Sequence, residues 1–192
     1  MAAMDLSNED KNTLFTVASE SLVLAVNSGH ALNISLPDYS SGLVEPGAAF
    51  VTLTKQGRLR GCIGSLQAWR PLVEDVAENT LASALRDPRF PSVQANELTE
   101  LDISLSVLTP PQEMTVLSEA DLLEQLVPNE DGLILTCGNH RATYLPSVWE
   151  QLPDKQEFVA QLKVKAGFSP DFWSDKMQCQ RYHAISITKN SD

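Results

Sequence analysis

Basic side chains, cysteines and long apolar runs are all scarce in this chain, and each scarcity argues against a class of protein. Lys and Arg number 14 against 25 Asp and Glu, so the 192 residues carry a formal net charge of −11. Nucleic-acid backbones and anionic lipid surfaces attract basic proteins, so we expect neither nucleic acid nor a membrane as a partner. The three cysteines are odd in number and widely spaced, which argues against a disulfide framework and favours a reducing compartment.

The apolar segments are too short to cross a membrane. The longest run near the N-terminus, Leu22 to Val26, is far below the ~20 residues that a bilayer requires. Residues 1–5 do not form a basic region followed by an apolar one, so no signal peptide is predicted. We therefore expect a soluble, cytoplasmic protein whose core folds without help from metals or disulfides.

Motifs for the common cofactors are also absent. The sequence has no Gly-x-Gly-x-x-Gly fingerprint, no Walker loop and no His-Glu-x-x-His. The cysteines lack the close spacing of zinc or iron–sulfur ligands, so no metal centre is expected from this chain alone. The sequence therefore predicts no cofactor.

Helical and hairpin patterns are interspersed along the chain without regular βαβ units, which favours the α+β class. Apolar residues at helical spacing indicate the helices, and alternation around turn residues such as Gly57 indicates the strands. Predicted helices run from Ser7 to Gly29 and over 71–86, 120–127 and 154–165. Predicted strands cover 49–54, 59–63, 101–107, 132–136, 141–145 and 179–188. The order hairpin then helix occurs twice, at 49–86 and 133–165, so a duplicated core is one interpretation.

The stretch around Cys62 reads Arg-Leu-Arg-Gly-Cys-Ile-Gly and places one thiol between two glycines. Side chains alternate faces along an extended strand, so Arg58, Arg60 and Cys62 are predicted to project together. A guanidinium two positions away favours thiolate over thiol, which makes Cys62 a candidate nucleophile. The alternative is a small buried cysteine beside glycines that allow a β-bulge or close packing.

Three residues outside this stretch are candidate ligand contacts. Asp87 and Arg89 lie just beyond a predicted helix end, where rigid prolines at 88 and 91 hold them, so their loop can present charges to a cleft. The alternative is an Asp–Arg pair that only fixes the loop. Tyr144 on the second hairpin is either a ligand contact or a packed ring with a tethered hydroxyl.

Three histidines are available for proton transfer. His30 follows the end of a predicted helix, and His140 lies at a predicted turn. His183 lies on the last predicted strand and shares a face with Ile185 and Ile187. That position favours a packed histidine over a general base.

Six segments, taken in order, resemble the AMMECR1 family over about residues 8–189. They are Ala48–Leu53, Leu59–Gly64, Asp87–Pro91, Ser106–Leu108, Ala142–Val148 and Lys165–Phe168. The Arg-Gly-Cys-Ile-Gly core is the family hallmark. The resemblance implies a single α+β domain whose barrel-like antiparallel sheet is built from two related hairpin–helix repeats and flanked by helices. It further implies two unequal lobes around a cleft that the hallmark segment lines.

The resemblance also implies a cytosolic protein whose prokaryotic relatives are often accompanied by a Memo-type protein and a radical-SAM protein. It leaves the reaction open. An enzyme or enzyme-accessory subunit would use Cys62 as a nucleophile and Arg60 to stabilise the thiolate or a substrate anion. The alternative is a non-catalytic module that binds a partner protein or a small ligand. The candidate ligand-binding residues are Arg58, Gly61, Gly64, Asp87, Arg89 and Tyr144.

Overall fold

The computed structural model describes residues 6–189, which divide into two compact units. The first unit comprises residues 6–108 and 185–189, and the second comprises 109–184. Residues 1–5, in which no signal peptide is predicted, lie outside the described residues. Within 6–189, none of the helices combines the length and the apolar character needed to pass through a bilayer.

Helices and antiparallel strands occur together, as the sequence predicts. The helices are α1 (Asn8–Ser28), α2 (Ser41–Val44), α3 (Leu72–Leu85), α4 (Glu119–Gln125) and α5 (Lys155–Lys165), with short 3-10 helices at Leu36–Asp38, Ala95–Glu100 and Pro146–Glu150. The strands are β1 (Pro46–Gly47), β2 (Ala49–Lys55), β3 (Arg58–Gly64), β4 (Arg70–Pro71), β5 (Leu101–Leu108), β6 (Gln112–Met114), β7 (Gly132–Cys137), β8 (His140–Tyr144), β9 (Gln178–Tyr182) and β10 (Ala184–Thr188).

The first unit is built on a four-stranded sheet of order β10-β5-β2-β3. Helix α3 packs on β2 and β3, while α1 packs on α3 and β5. Alternate residues of β2, namely Ala49, Val51 and Leu53, are buried in this core together with Leu105 and Val107 of β5. The period-two apolar pattern therefore marks the face of the sheet that the helices cover.

The β2–β3 hairpin contains a turn and an irregularity that position the segment around Cys62. Gln56 (φ 53°) and Gly57 (φ 73°) both adopt positive φ in the two-residue turn, which confirms the prediction for Gly57. Farther along, Leu53 pairs with Gly61, whereas its neighbour Thr54 pairs with Leu59. The residue between them, at position 60, is therefore the extra residue of a β-bulge.

The second unit is built on a separate four-stranded sheet of order β6-β9-β7-β8. Its core includes Leu133 and Leu135 of β7 and Phe158 of α5. The ring of Phe158 stacks on buried Trp149 with centroids 3.7 Å apart. The Trp149 indole N–H donates to the main-chain carbonyl of Asp131 at 2.7 Å, which satisfies its polar group inside the core.

The final predicted strand, 179–188, is two strands rather than one. β9 ends at Tyr182, β10 begins at Ala184, and the two strands belong to different sheets. His183 lies between them and exchanges two hydrogen bonds with Thr109. Its N–H donates to the Thr109 hydroxyl at 2.8 Å, and its carbonyl accepts from the Thr109 N–H at 2.9 Å. These bonds replace strand pairing at His183, so the prediction of a continuous strand is wrong.

Neither four-stranded sheet, as described over residues 6–189, closes into a barrel. The barrel-like sheet that the family resemblance implies is therefore corrected to two open sheets. Both sheets nevertheless share one connectivity. In each, a hairpin lies at one edge, a helix follows it, and a later strand pairs with the first strand of the hairpin. The origin of these units in two related repeats stays a prediction.

Candidate functional site

The bulge in β3 changes which side chains share a face with the thiol. Cys62 and Leu59 lie opposite two threonines of β2 that are two residues apart, so Cys62 and Leu59 project from the same face. Arg58, one position before Leu59, projects from the other face. The prediction that Arg58, Arg60 and Cys62 project together is therefore wrong, because one extra residue reverses the alternation.

Arg60 is held by a carboxylate on the 3-10 helix at Ala95–Glu100. Its Nε and Nη2 donate to the two oxygens of Glu97 at 3.1 and 2.9 Å, and its Nη1 donates to the Pro91 carbonyl at 2.8 Å. The hydrogen bonds from Arg60 and from the Gln94 N–H lower the pKa of Glu97 to about 2. Every guanidinium nitrogen of Arg60 thus has a partner other than the thiol, so Arg60 links β3 to this helix.

Arg89 is the cation that lies beside Cys62. Its Nη2 donates to the Cys62 carbonyl at 3.0 Å, and the Cys62 N–H donates to Asp87 Oδ2 at 2.8 Å. The Cys62 Sγ lies 3.2 Å from the hydroxyl oxygen of Thr52 on β2, and the residue is partly exposed. The thiol of β3, a hydroxyl of β2 and a guanidinium from the loop after α3 therefore lie together at the β3 edge of the first unit.

Asp87 and Arg89 form a two-point ion pair in the loop after α3. Arg89 Nε donates to Asp87 Oδ1 at 2.9 Å, and Nη2 donates to Oδ2 at 2.7 Å. The bond from Arg89 holds the pKa of the buried Asp87 carboxyl well below its usual range. The same bond raises the pKa of Arg89, and attraction to the Cys62 side chain raises it further. The interpretation of a loop-fixing pair is confirmed, and the pair additionally bonds both main-chain groups of Cys62.

The glycines on either side of Cys62 are required by close packing. A Cβ at Gly61 would lie 2.2 Å from the carbonyl oxygen of Ser83 in α3. A Cβ at Gly64 would lie 2.2 Å from the ring of Phe50 on β2. Both distances are far below van der Waals contact, so each glycine has a structural role. The alternative is therefore confirmed for the glycines, which permit close packing, but not for the cysteine, because Cys62 is partly exposed rather than buried.

A stripe of buried polar residues on α3, spaced four apart, holds the hairpin in place. Asp75 accepts from the first N–H of β2, and Asn79 donates to the carbonyl of the same residue. The Ser83 hydroxyl accepts from the Ile63 N–H at 2.9 Å and donates to the Val51 carbonyl at 2.8 Å. None of these three residues was predicted to have a role, although polar residues at i, i+4 and i+8 inside an apolar helix were the available signal.

Tyr144, the remaining candidate, belongs to the second unit. Its ring packs edge-on against Phe158 with centroids 5.2 Å apart, and Lys165 Nζ lies 4.9 Å from the ring centre. The ring therefore packs as one interpretation expects, and a ligand contact at Tyr144 stays a prediction. Its hydroxyl forms no hydrogen bond with any residue in 6–189, so the predicted tether is not found there.

The site is suited to an anion rather than to a metal ion. Among the described residues, no cluster of three or more His, Cys, Asp or Glu side chains is arranged to hold a metal. Arg89 keeps 53% of its side chain exposed while its Asp87 partner is buried. The exposed guanidinium edge can therefore contact a carboxylate or phosphate group next to the thiol.

The sequence and the fold of this chain were compared with those of known proteins. The AMMECR1 family model matches residues 15–187. A protein from Methanothermobacter thermautotrophicus is 35% identical over 182 residues, covering 93% of this chain and 94% of the relative. A protein from Sulfolobus acidocaldarius is 33% identical and covers 98% and 86%. The crystal structure of an uncharacterized protein from Pyrococcus horikoshii superposes with a TM-score of 0.80 at 30% identity, covering 94% of this chain and 92% of that one. The chain therefore belongs to the AMMECR1 family.

Proposed function

We propose that this protein is a thiol-dependent enzyme, or the thiol-bearing subunit of one, with Cys62 as its nucleophile. The observation that carries the proposal is the position of Arg89, which hydrogen-bonds to the Cys62 carbonyl at 3.0 Å next to a partly exposed thiol. This position gives Arg89 the role that the sequence assigns to Arg60.

The neighbouring groups would divide the chemistry between them. Once the Cys62 thiol has released its proton to solvent, the Thr52 hydroxyl can donate to the sulfur at 3.2 Å. The sulfur lone pair then forms a bond to an electrophilic carbon, and the leaving group departs with the electrons of the bond that breaks. Arg89 also has an edge that is open among residues 6–189, because its bonds to Asp87 and Cys62 use only Nε and Nη2. That edge suits a substrate with a carboxylate or phosphate beside its reactive carbon.

The test compares alkylation by neutral iodoacetamide with alkylation by anionic iodoacetate, read by mass spectrometry. At about pH 7 we expect Cys62 to react several-fold faster than Cys137, which is also partly exposed and serves as an internal control. Arg89→Gln should slow Cys62 with both reagents and slow iodoacetate more, because it removes the cation that attracts the anion.

Two further variants test whether the positive charge at Arg89 is what affects alkylation of Cys62. Arg89→Lys keeps a positive charge and should retain part of the iodoacetate preference, whereas Arg58→Gln alters an exposed arginine on the other face and should change neither rate. If Cys62 reacts no faster than Cys137, or if Arg89→Gln leaves its rates unchanged, the nucleophile proposal is wrong.

A second candidate function is a non-catalytic binding module. The observation in its favour is that no imidazole or carboxylate hydrogen-bonds to Cys62 Sγ within residues 6–189, so the thiol has no adjacent general base there. Family resemblance makes a Memo-type protein and a radical-SAM protein the expected partners. If Cys62→Ser preserves cellular function while Arg89→Glu abolishes capture of a co-expressed Memo-type protein, the binding module is the correct function.

A further inference from the structure

A second pair of titratable side chains, Asp131 and His183, lies wholly within the second unit. The His183 Nε2 lies 2.9 Å from Asp131 Oδ1. The aspartate side chain is 1% exposed, whereas the histidine side chain is 53% exposed. A buried carboxylate thus holds an imidazole that solutes can reach, and this contradicts the packed histidine that the sequence favours.

Further hydrogen bonds hold both Asp131 and His183 in place. The second oxygen of Asp131 accepts the Val127 N–H at 2.8 Å, and the Asp131 carbonyl accepts the Trp149 indole N–H at 2.7 Å. The main chain of His183 is fixed by its two hydrogen bonds with Thr109. The ring is therefore held in one orientation before any ligand arrives, as preorganised catalytic groups are.

The hydrogen bond determines where the protons lie. A carboxylate can only accept, so the neutral imidazole carries its hydrogen on Nε2 and leaves a lone pair on Nδ1. No described residue hydrogen-bonds to that Nδ1. An imidazole with an available lone pair on one nitrogen and a carboxylate that orients it through the other nitrogen is the arrangement of a histidine general base.

His140 shows what a structural histidine looks like in the same unit. Its Nδ1 lies 2.8 Å from the Ala166 carbonyl, and its ring packs on Phe168 with centroids 4.8 Å apart. His183 has no such ring partner among residues 6–189. The exposed ring of His183 thus differs from a histidine that only packs.

A cation adjoins the same carboxylate. Arg181 Nη1 lies 4.0 Å from Asp131 Oδ2, the oxygen that does not bind the imidazole, and the arginine side chain is 37% exposed. We infer that His183 is a general base for a small molecule bearing a carboxylate, with Arg181 binding the carboxylate and Asp131 acting as a positioning residue. This inference is independent of the thiol site, because all of its residues lie in the second unit.

The step can be written for an activated ester. Nδ1 of His183 takes a proton from water as the water oxygen bonds to the acyl carbon. The ester C–O bond then breaks, and 4-nitrophenolate leaves with the bonding electrons. The imidazolium returns its proton to solvent, so ester and water become acid and phenol with no other reactant.

The test uses the full chain carrying Cys62→Ser and Cys137→Ser, which removes the two partly exposed thiols. The probes are 4-nitrophenyl hemisuccinate, which carries a carboxylate, and neutral 4-nitrophenyl acetate. We expect His183→Gln to lower the protein-catalysed rate on both esters at least about tenfold. The rate catalysed by the Cys62→Ser, Cys137→Ser protein should also be lower in D₂O than in H₂O, because the general-base step transfers a proton.

Variants of the supporting residues give different readouts. Asp131→Asn still accepts the Val127 N–H, so it should leave the turn intact and lower kcat on both esters. Arg181→Gln should raise KM for the hemisuccinate alone. His30→Gln, which replaces an exposed histidine in the first unit, should change nothing.

The inference is overturned if the His183→Gln variant, shown by circular dichroism to be folded, hydrolyses both esters as fast as the Cys62→Ser, Cys137→Ser protein that retains His183. It is also overturned if Arg181→Gln changes KM equally for the two esters. Because the background lacks the Cys62 thiol, either failure leaves the proposed function of Cys62 untouched.

Discussion

Replacing Gly61 with alanine tests how far the close approach of α3 to β3 stabilises the first unit. The added Cβ would lie 2.2 Å from the Ser83 carbonyl oxygen, whereas carbon–oxygen contacts are seldom shorter than about 3.3 Å. The helix must therefore retreat by about 1 Å. The Ser83 hydroxyl lies 2.9 Å from the Ile63 nitrogen and 2.8 Å from the Val51 oxygen, and both bonds would lengthen beyond bonding distance.

The expected loss follows from these contacts. Two hydrogen bonds at about 1 kcal/mol each and residual packing strain of about 1 kcal/mol lower the free energy of unfolding by about 3 kcal/mol. Urea denaturation followed by circular dichroism measures this as a shift in midpoint at constant slope.

Gly42→Ala is the matched control for Gly61→Ala. Gly42 lies in α2, and a Cβ there would meet nothing within 4 Å. This substitution should be neutral or stabilising by up to about 1 kcal/mol, because alanine restricts the unfolded chain more than glycine does. If Gly61→Ala is as stable as Gly42→Ala, the close approach of α3 to β3 does not stabilise the first unit and the packing role of Gly61 is refuted.

Two other predictions concern ionisable groups. Glu97→Gln removes the charged partner of Arg60 and should lower the free energy of unfolding by about 1 to 2 kcal/mol near pH 7. Folding lowers the pKa of Glu97 from 4.5 to about 2, so its carboxylate stabilises the fold above pH 4.5 and this contribution is lost as the pH falls through 2. The difference in urea midpoint between wild type and Glu97→Gln should narrow across that window, and a constant difference would contradict the assignment. Burial raises the pKa of Cys179 to about 12, so iodoacetamide at about pH 8 should label Cys179 only after denaturation. Rapid labelling of Cys179 in the folded protein, detected by mass spectrometry, would exclude this burial.

The sequence was a good guide wherever structure depends on local periodicity. Helix α1 (Asn8–Ser28) lies within the predicted range from Ser7 to Gly29, and the β2–β3 hairpin turns at Gly57 as expected. These features depend on residues a few positions apart, whose geometry is set by the backbone. The α3 boundaries and the loop-fixing pair of Asp87 and Arg89 follow from equally local signals.

The errors at the thiol site have a common physical cause. A bulge adds a single residue, and the alternation of Arg60 and Cys62 carries no mark of it, because the glycine between them suits both a regular strand and a bulge. The partner of Cys62 is Arg89, which is 27 residues away in the chain. No local pattern specifies which cation will meet the thiol, since tertiary packing of α3 decides it.

The break at His183 has a similar explanation. The alternation of polar and apolar residues continues through this position, so periodicity alone predicts one strand. The pairing with Thr109, 74 positions away, interrupts the strand instead, and the buried carboxylate of Asp131 then holds the ring. Long-range hydrogen bonds of this kind leave no trace in hydrophobic patterning.

The loop at Asp87 and Arg89 has a consequence for solubility. β3 is an edge strand, and the main-chain groups along an edge can pair with a strand from another molecule and begin aggregation. At Cys62 both groups are already occupied, the N–H by Asp87 and the carbonyl by Arg89. The arginine beside Cys62 thus also blocks intermolecular β-pairing at that position. Substitutions that remove Arg89 would free the Cys62 carbonyl to accept from a strand of another molecule, so this side chain protects the sheet edge against aggregation whatever the thiol does.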